Sequence, residues 1–132
     1  MLAKAKEKAK NLKTNFKLVE MDAQSLDFPD NSFDTVISTC VFCSVPDPVQ
    51  GLQEIRRVLK PNGYLLMLEH MRSNNEVLGK VMDIINPIGL RISGANINRK
   101  TVQNIENAGL KVIDKELLMS TIMRKLKISP NK

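Results

Sequence analysis

Residues 33–70, FDTVISTCVFCSVPDPVQGLQEIRRVLKPNGYLLMLEH, decide the fold. FDTVISTCVF (33–42) is β-branched and almost continuously apolar after Asp34, which predicts a strand buried on both faces of a parallel sheet. Asp47 can cap a helix, Pro48 suits its first position, and Gln50 stands where a capping box wants it. Val49, Leu52, Ile55, Val58 and Leu59 then recur at helical spacing, and Pro61-Asn62-Gly63 ends the helix. YLLMLEH (64–70) is a second buried strand. Strand, helix, strand in that order is a βαβ unit with parallel strands.

Working outward, residues 2–13 (LAKAKEKAKNLK) are strong helix formers, and Asn15 sits in the turn after them. FKLVEM (16–21) reads as a short strand, followed by an irregular polar stretch, DAQSLDFPDNS. Residues 76–92 start as an apolar helix that Pro87 and Gly89 should break. Asn98 can cap a helix through Ala108, with Gly109 as its stop. LKVIDKELLM (110–119) and STIMRKLKIS (120–129) are joined by hardly any loop, which predicts an antiparallel hairpin. The alternation makes an α/β sandwich, and 1–132 is read as part of one domain. Ligands of such sheets collect at the carboxyl ends of the strands, here residues 22–26, 39–45 and 69–72.

The formal net charge is +6, a balance that nucleic acid or an anionic membrane would tolerate. Lys4, Lys6, Lys8, Lys10 and Lys13 crowd one N-terminal stretch, however, and read as a solvated helix face. The aromatics Phe16, Phe28, Phe33, Phe42 and Tyr64 do not interleave with basic residues, so nucleic acid is not expected as a partner. Two cysteines are too few for a disulfide-stapled secreted domain, and neither a signal peptide nor an 18-residue apolar run is present. A soluble cytoplasmic setting is the expectation.

The run MDAQSLDFPDNSFDTVISTCVFCSVPDPVQGLQEIRRVLKPNGYLLMLEH resembles the later motifs of class I S-adenosylmethionine-dependent methyltransferases. The acidic residue after a strand, the apolar-Pro step before "FD-V", and R-V-L-K-P-N-G before the next strand carry the resemblance. Asn62 replaces the first of two glycines in that last motif. CVFCSV, LEH and G-x-N-I-N-R-K-T look closest to the ubiquinone/menaquinone-biosynthesis-like and thiol methyltransferase-like groups.

The resemblance implies methyl transfer from S-adenosylmethionine to a small or hydrophobic acceptor. Asp22 would accept from the adenine amino group and Ala23 N–H would donate to an adenine ring nitrogen. Thr39, Cys40 and Val41 would line the methionine end. It also implies an incomplete Rossmann-like methyltransferase sandwich, lacking the first two strands and closing on the C-terminal hairpin. The glycine-rich loop and the ribose-gripping acid would precede residue 1, and no glycine occurs before Gly51. The family's strand order, 3-2-1-4-5-7-6, then leaves 33–42 as an apolar edge. Residues 16–21 should either pair with 33–40 directly or leave the gap to another chain, an edge prone to self-association. The rival reading is a non-catalytic remnant or a partner-completed subunit that binds no cofactor.

His70, at a strand end facing the crevice, could act as general base towards a thiol or hydroxyl acceptor; the plainer role is a hydrogen bond to a loop carbonyl. Cys40-x-x-Cys43 has redox or metal spacing, but with no second pair and one histidine it reads as pocket lining. Val77, Leu78, Val81, Met82, Ile84, Ile85 and Ile88 offer an apolar surface, for a lipid-like acceptor or for core packing. Lys80, Arg91, Arg99 and Lys100 nearby would favour peripheral contact with an anionic lipid surface.

Overall fold

The computed structural model describes residues 2–9, 15–70, 75–93, 100–119 and 123–132. In chain order the elements are α1 (Leu2–Ala9), β1 (Phe33–Thr39), α2 (Pro48–Val58), β2 (Leu59–His70), α3 (Glu76–Ser93), α4 (Thr101–Asn107), β3 (Lys111–Met119) and β4 (Met123–Ser129). The four strands form one sheet in the order β1-β2-β4-β3. β1 and β2 run parallel, and β4 is antiparallel to both β2 and β3. That order is the 4-5-7-6 half of the arrangement the resemblance implied, with the C-terminal hairpin placed as expected.

One face of the sheet makes the core. Leu65 and Met67 of β2 and Leu126 and Ile128 of β4 are buried, and they meet Leu52 and Ile55 of α2 and Ile105 of α4. Period-2 alternation places these side chains on one side, and the helical 3- and 4-residue spacing supplies the opposing stripe.

Residues 16–21 do not form a strand. They lie outside any strand, and Phe16, Leu18 and Val19 are exposed. A strand needs a neighbour for its backbone groups, and among the described residues none pairs with 16–21, so the expected direct pairing with 33–40 is not formed. β1 is correspondingly an edge strand, and Ile37 is 71% exposed rather than buried. It ends at Thr39 because Cys40 turns into the left-handed region, at φ 51°.

α2 ends at Val58, and Leu59 is already extended (ψ 140°) and fully buried as the first residue of β2. The Pro61-Asn62-Gly63 punctuation falls inside β2 as a bulge. Phe33 pairs with Leu59 but Thr35 with Tyr64, so Asp34 alone opposes residues 60–63. α3 continues through Pro87, where a helix forgoes one i→i−4 bond without ending. α4 starts at Thr101 with Lys100 at its N-cap and no side-chain cap; Asn98 lies outside the described residues. Lys4, Lys6 and Lys8 are exposed along α1, as a solvated face requires, while Lys10 and Lys13 lie outside the described residues. Among the described residues, no helix is long and apolar enough to cross a membrane.

Candidate functional site

Two short loops, 22–25 and 40–43, converge on the first turns of α2. Asp22 closes the first with a bridge to Ser25, whose N–H donates to Asp22 O at 3.1 Å. The Asp22 carboxylate accepts from Gln24 N at 2.9 Å and, on both oxygens, from Gln24 Nε2 at 3.3 and 3.2 Å. This is an Asx turn, the local bond that aspartate favours outside helices.

The turn is latched to α2 by an arrangement not visible in the sequence. Asp47 caps α2 through Val49 N and Gln50 N at 3.1 and 3.0 Å, a contact worth about 1 kcal/mol. Gln50 does not reach back to close the box. Its Nε2 donates to Gln24 O at 3.1 Å, and Gln24 Oε1 instead accepts Asp47 N at 2.7 Å. At Gly51 a Cβ would stand 3.0 Å from Phe42 Cε1 and 3.4 Å from Ala23 O. The same helical position therefore touches both loops, and a side chain there would press on the Phe42 ring.

Below the turn, residues 26–30 are held by one ion-paired couple on α2. Arg57 donates to Leu26 O, Phe28 O and the Asp30 carboxylate, and to Glu54, while Glu54 accepts Leu26 N at 2.8 Å. Hydrogen bonding from Arg57 lowers the Glu54 pKa to about 2.

The second loop carries three of the expected site residues. Thr39, Cys40 and Val41 are all exposed at the carboxyl end of β1. Cys40 N–H still donates to Leu68 O at 2.8 Å, extending the parallel ladder one residue, although its left-handed φ costs about 1 kcal/mol. Cys40 Sγ lies 3.6 Å from His70 Nδ1, so the structure brings the histidine to the loop after β1. Burial, then Glu69 and Cys43, push the Cys40 thiol above its ordinary pKa. Cys43 Sγ donates to Cys40 O at 3.4 Å, and both cysteines are free thiols. Among the described residues no group of three His, Cys, Asp or Glu side chains could hold a metal ion.

The strand-end segment 69–72 includes Glu69, to which the sequence assigns no role of its own. It falls in phase with Leu65 and Met67, on the core face, and is 1% exposed. A carboxylate at a core-phase position was the available signal. Its Oε1 accepts from Ser38 Oγ, Val41 N and Phe42 N at 3.2, 2.9 and 3.1 Å. Arg124, its register partner on β4, is also buried.

A family profile described as a methyltransferase domain matches residues 1–67, just over half of the chain. The chain belongs to this methyltransferase-domain family. It is 38% identical over 81 residues to the ubiquinone/menaquinone biosynthesis C-methyltransferase UbiE of Hahella chejuensis, a match covering 61% of this chain and 32% of that one. The chain thus spans about a third of the length of such curated relatives. In fold it is similar to the PH0226 protein of Pyrococcus horikoshii (TM-score 0.69, 23% identity, 97% of this chain and 66% of that one). It is also similar to a SAM dependent methyltransferase of Aquifex aeolicus (TM-score 0.62, 19% identity, 94% and 60%).

S-adenosylmethionine would meet two features that suit it. The exposed Asp22 carboxylate has acceptor capacity beyond the Gln24 bonds, and loop 39–41 presents exposed residues at a strand end. Their neighbours along the chain, Ala23 O and the Phe42 ring, both lie against Gly51 of α2.

Proposed function

We propose that this chain acts in methyl transfer from S-adenosylmethionine to a small or hydrophobic acceptor. The packing of the Asp22 turn (through Ala23 O) and of the loop after β1 (through Phe42) against Gly51 supports the reading, since an adenine edge at the first and a methionine end at the second would then lie side by side. Asp22 would accept from the adenine amino group, and Ala23 N–H would donate to a ring nitrogen. Thr39, Cys40 and Val41 would line the methionine end. The bound cofactor supplies an activated methyl on a sulfonium, so the protein's part is alignment and exclusion of water. His70 would take a proton from a thiol or hydroxyl acceptor. That role requires the tautomer in which Nδ1–H faces Cys40 Sγ and Nε2 keeps its lone pair.

A hydrophobic acceptor is supported by α3, where Val77, Ile84 and Ile88 are 74%, 75% and 61% exposed. Lys80 and Arg91 border that stripe, which suits peripheral contact with an anionic lipid surface from the cytoplasmic side. The relative of H. chejuensis is named for ubiquinone and menaquinone biosynthesis, and a quinone-like ring with an apolar tail is the acceptor class we favour.

Titration of the labelled chain with S-adenosylhomocysteine, followed by amide NMR, tests the reading. We expect binding with a Kd of about 1 mM or tighter, with shifts confined to residues 22–26 and 39–43. Asp22→Ala should abolish them. Shifts elsewhere, or none in the wild type, would reject it.

A second reading is favoured by β1, whose outer edge has no partner strand among the described residues while Ile37 is exposed beside it. Here another chain, or a second copy, completes the sheet. Light scattering over a concentration series should then show association that Ile37→Lys suppresses, because a charge on an open edge blocks strand addition. A monomer at all concentrations would count against self-association.

A further inference from the structure

We infer that Glu69 is the positioning residue that gives the loop after β1 its shape, and through it the affinity for the cofactor. The inference deepens the proposed function and rests on it. Three donors meet one carboxylate oxygen: the Ser38 hydroxyl from β1 and the successive peptide N–H groups of Val41 and Phe42. Two consecutive N–H groups can converge on a single acceptor only where the chain turns sharply, and the turn lies directly after Cys40, at φ 51°. The chain is bracketed at that point, because Cys40 N–H is committed to Leu68 O on the strand that carries Glu69. β2 therefore holds this loop twice, by a backbone carbonyl at residue 68 and by a side chain at residue 69.

The acceptor must be strong. It is buried, so water cannot substitute for it, and charge-assisted bonds are shorter and stronger than neutral ones. Val41 N–H and Phe42 N–H are turned inward and are not available to a ligand. The exposed elements of the loop, Thr39, Cys40 and Val41, are then held outward at the strand end. Phe42, which follows at once, is 3% exposed and sits under Gly51. Glu69 thereby couples the core packing of Phe42 to the orientation of the residues ahead of it.

The test compares wild type with Glu69→Gln and Glu69→Ala by amide hydrogen exchange and by S-adenosylhomocysteine titration. Glutamine keeps a carbonyl oxygen but loses the charge, and it is nearly isosteric, so that variant folds if the larger truncation does not. We expect exchange at Val41 and Phe42 to rise about 10-fold in the glutamine variant and 100-fold or more in the alanine variant, with Leu65 and Leu126 protected as before. The Kd should rise in the same order, several-fold and then beyond detection. Unchanged exchange at Val41 and Phe42 in Glu69→Gln would overturn the inference. So would faster exchange, or a lower Tm, with an unaltered Kd, because Glu69 would then serve stability alone. A wild type that does not bind would instead reject the proposed function, and the exchange readout would still decide whether Glu69 shapes the loop.

Discussion

Cys40 Sγ and His70 Nδ1 stand 3.6 Å apart at the carboxyl ends of two adjacent parallel strands. A close thiol and imidazole can form a thiolate–imidazolium pair, but here burial and the nearby Glu69 carboxylate push the thiol up from its ordinary value near 9. Both effects favour the neutral thiol over the thiolate. In a Cys43→Ser variant, iodoacetamide alkylation of Cys40 should be slow at pH 7 despite the exposure of the residue. Its rate should rise tenfold per pH unit up to a midpoint above 9. Glu69→Gln should bring that midpoint down. A midpoint at or below 8 would mean that the ion pair forms.

Gly63 is required by close approach. An added Cβ would stand 2.8 Å from Asp34 O and 3.1 Å from both Lys60 O and Phe33 O, all backbone atoms. Gly63→Ala must therefore move the β1–β2 bulge, at a cost of about 2–3 kcal/mol, read as a lower urea midpoint. Asn62 is exposed and free of that crowding, so Asn62→Gly should cost no more than about 1 kcal/mol. Of the two positions that are glycine in the motif this chain resembles, the structure makes only the second sterically necessary.

The elements that announced themselves were those whose local chemistry is self-sufficient. Asp47-Pro48 marked the start of α2, the run at 64–70 marked β2, and the near-absence of a loop before residue 123 marked the hairpin. FKLVEM failed as a strand because its pattern reports side chains, while a strand depends on a partner, and none stands beside it among the described residues. Pro87 failed as a break because proline weakens a helix without forbidding it. In the candidate site, Asp22 and Cys40 were singled out by the family resemblance and His70 by its place at a strand end. Gln24 and Glu69 were not, since both act through backbone groups 23 and 27–28 residues away. Glu69 still left a trace in its phase with Leu65 and Met67.

Acid should loosen the loop that leads into β1. The folded-state pKa of Glu54, about 2, lies below its ordinary 4.5, principally because Arg57 donates to it. A depressed carboxylate contributes stability that is fully present above pH 4.5 and is lost as pH falls towards 2. The urea midpoint of the wild type should fall across that window. Glu54→Gln should start lower at pH 7, lose less, and converge on the wild type near pH 2. Parallel curves for the two proteins would show that the Arg57 bond contributes no linkage.

Gln24 offers the cleanest separation of binding from folding. Its side chain donates to the Asp22 carboxylate and accepts Asp47 N–H at 2.7 Å, while its own carbonyl accepts Gln50 Nε2. It is therefore the link that sets the Asp22 carboxylate, the proposed acceptor for adenine, against the N-terminus of α2. These contacts lie towards the surface, and Asp47 still caps Val49 and Gln50 without Gln24, so Gln24→Ala should cost no more than about 1 kcal/mol. The freed carboxylate should sample other orientations, and the Kd for S-adenosylhomocysteine should rise about 3- to 10-fold, as loss of one positioning contact implies. Amide shifts at residues 22–26 on titration should shrink, while those at 39–43 persist at higher ligand. Equal loss at both loops would mean that Gln24 supports the whole end of the sheet rather than the orientation of Asp22.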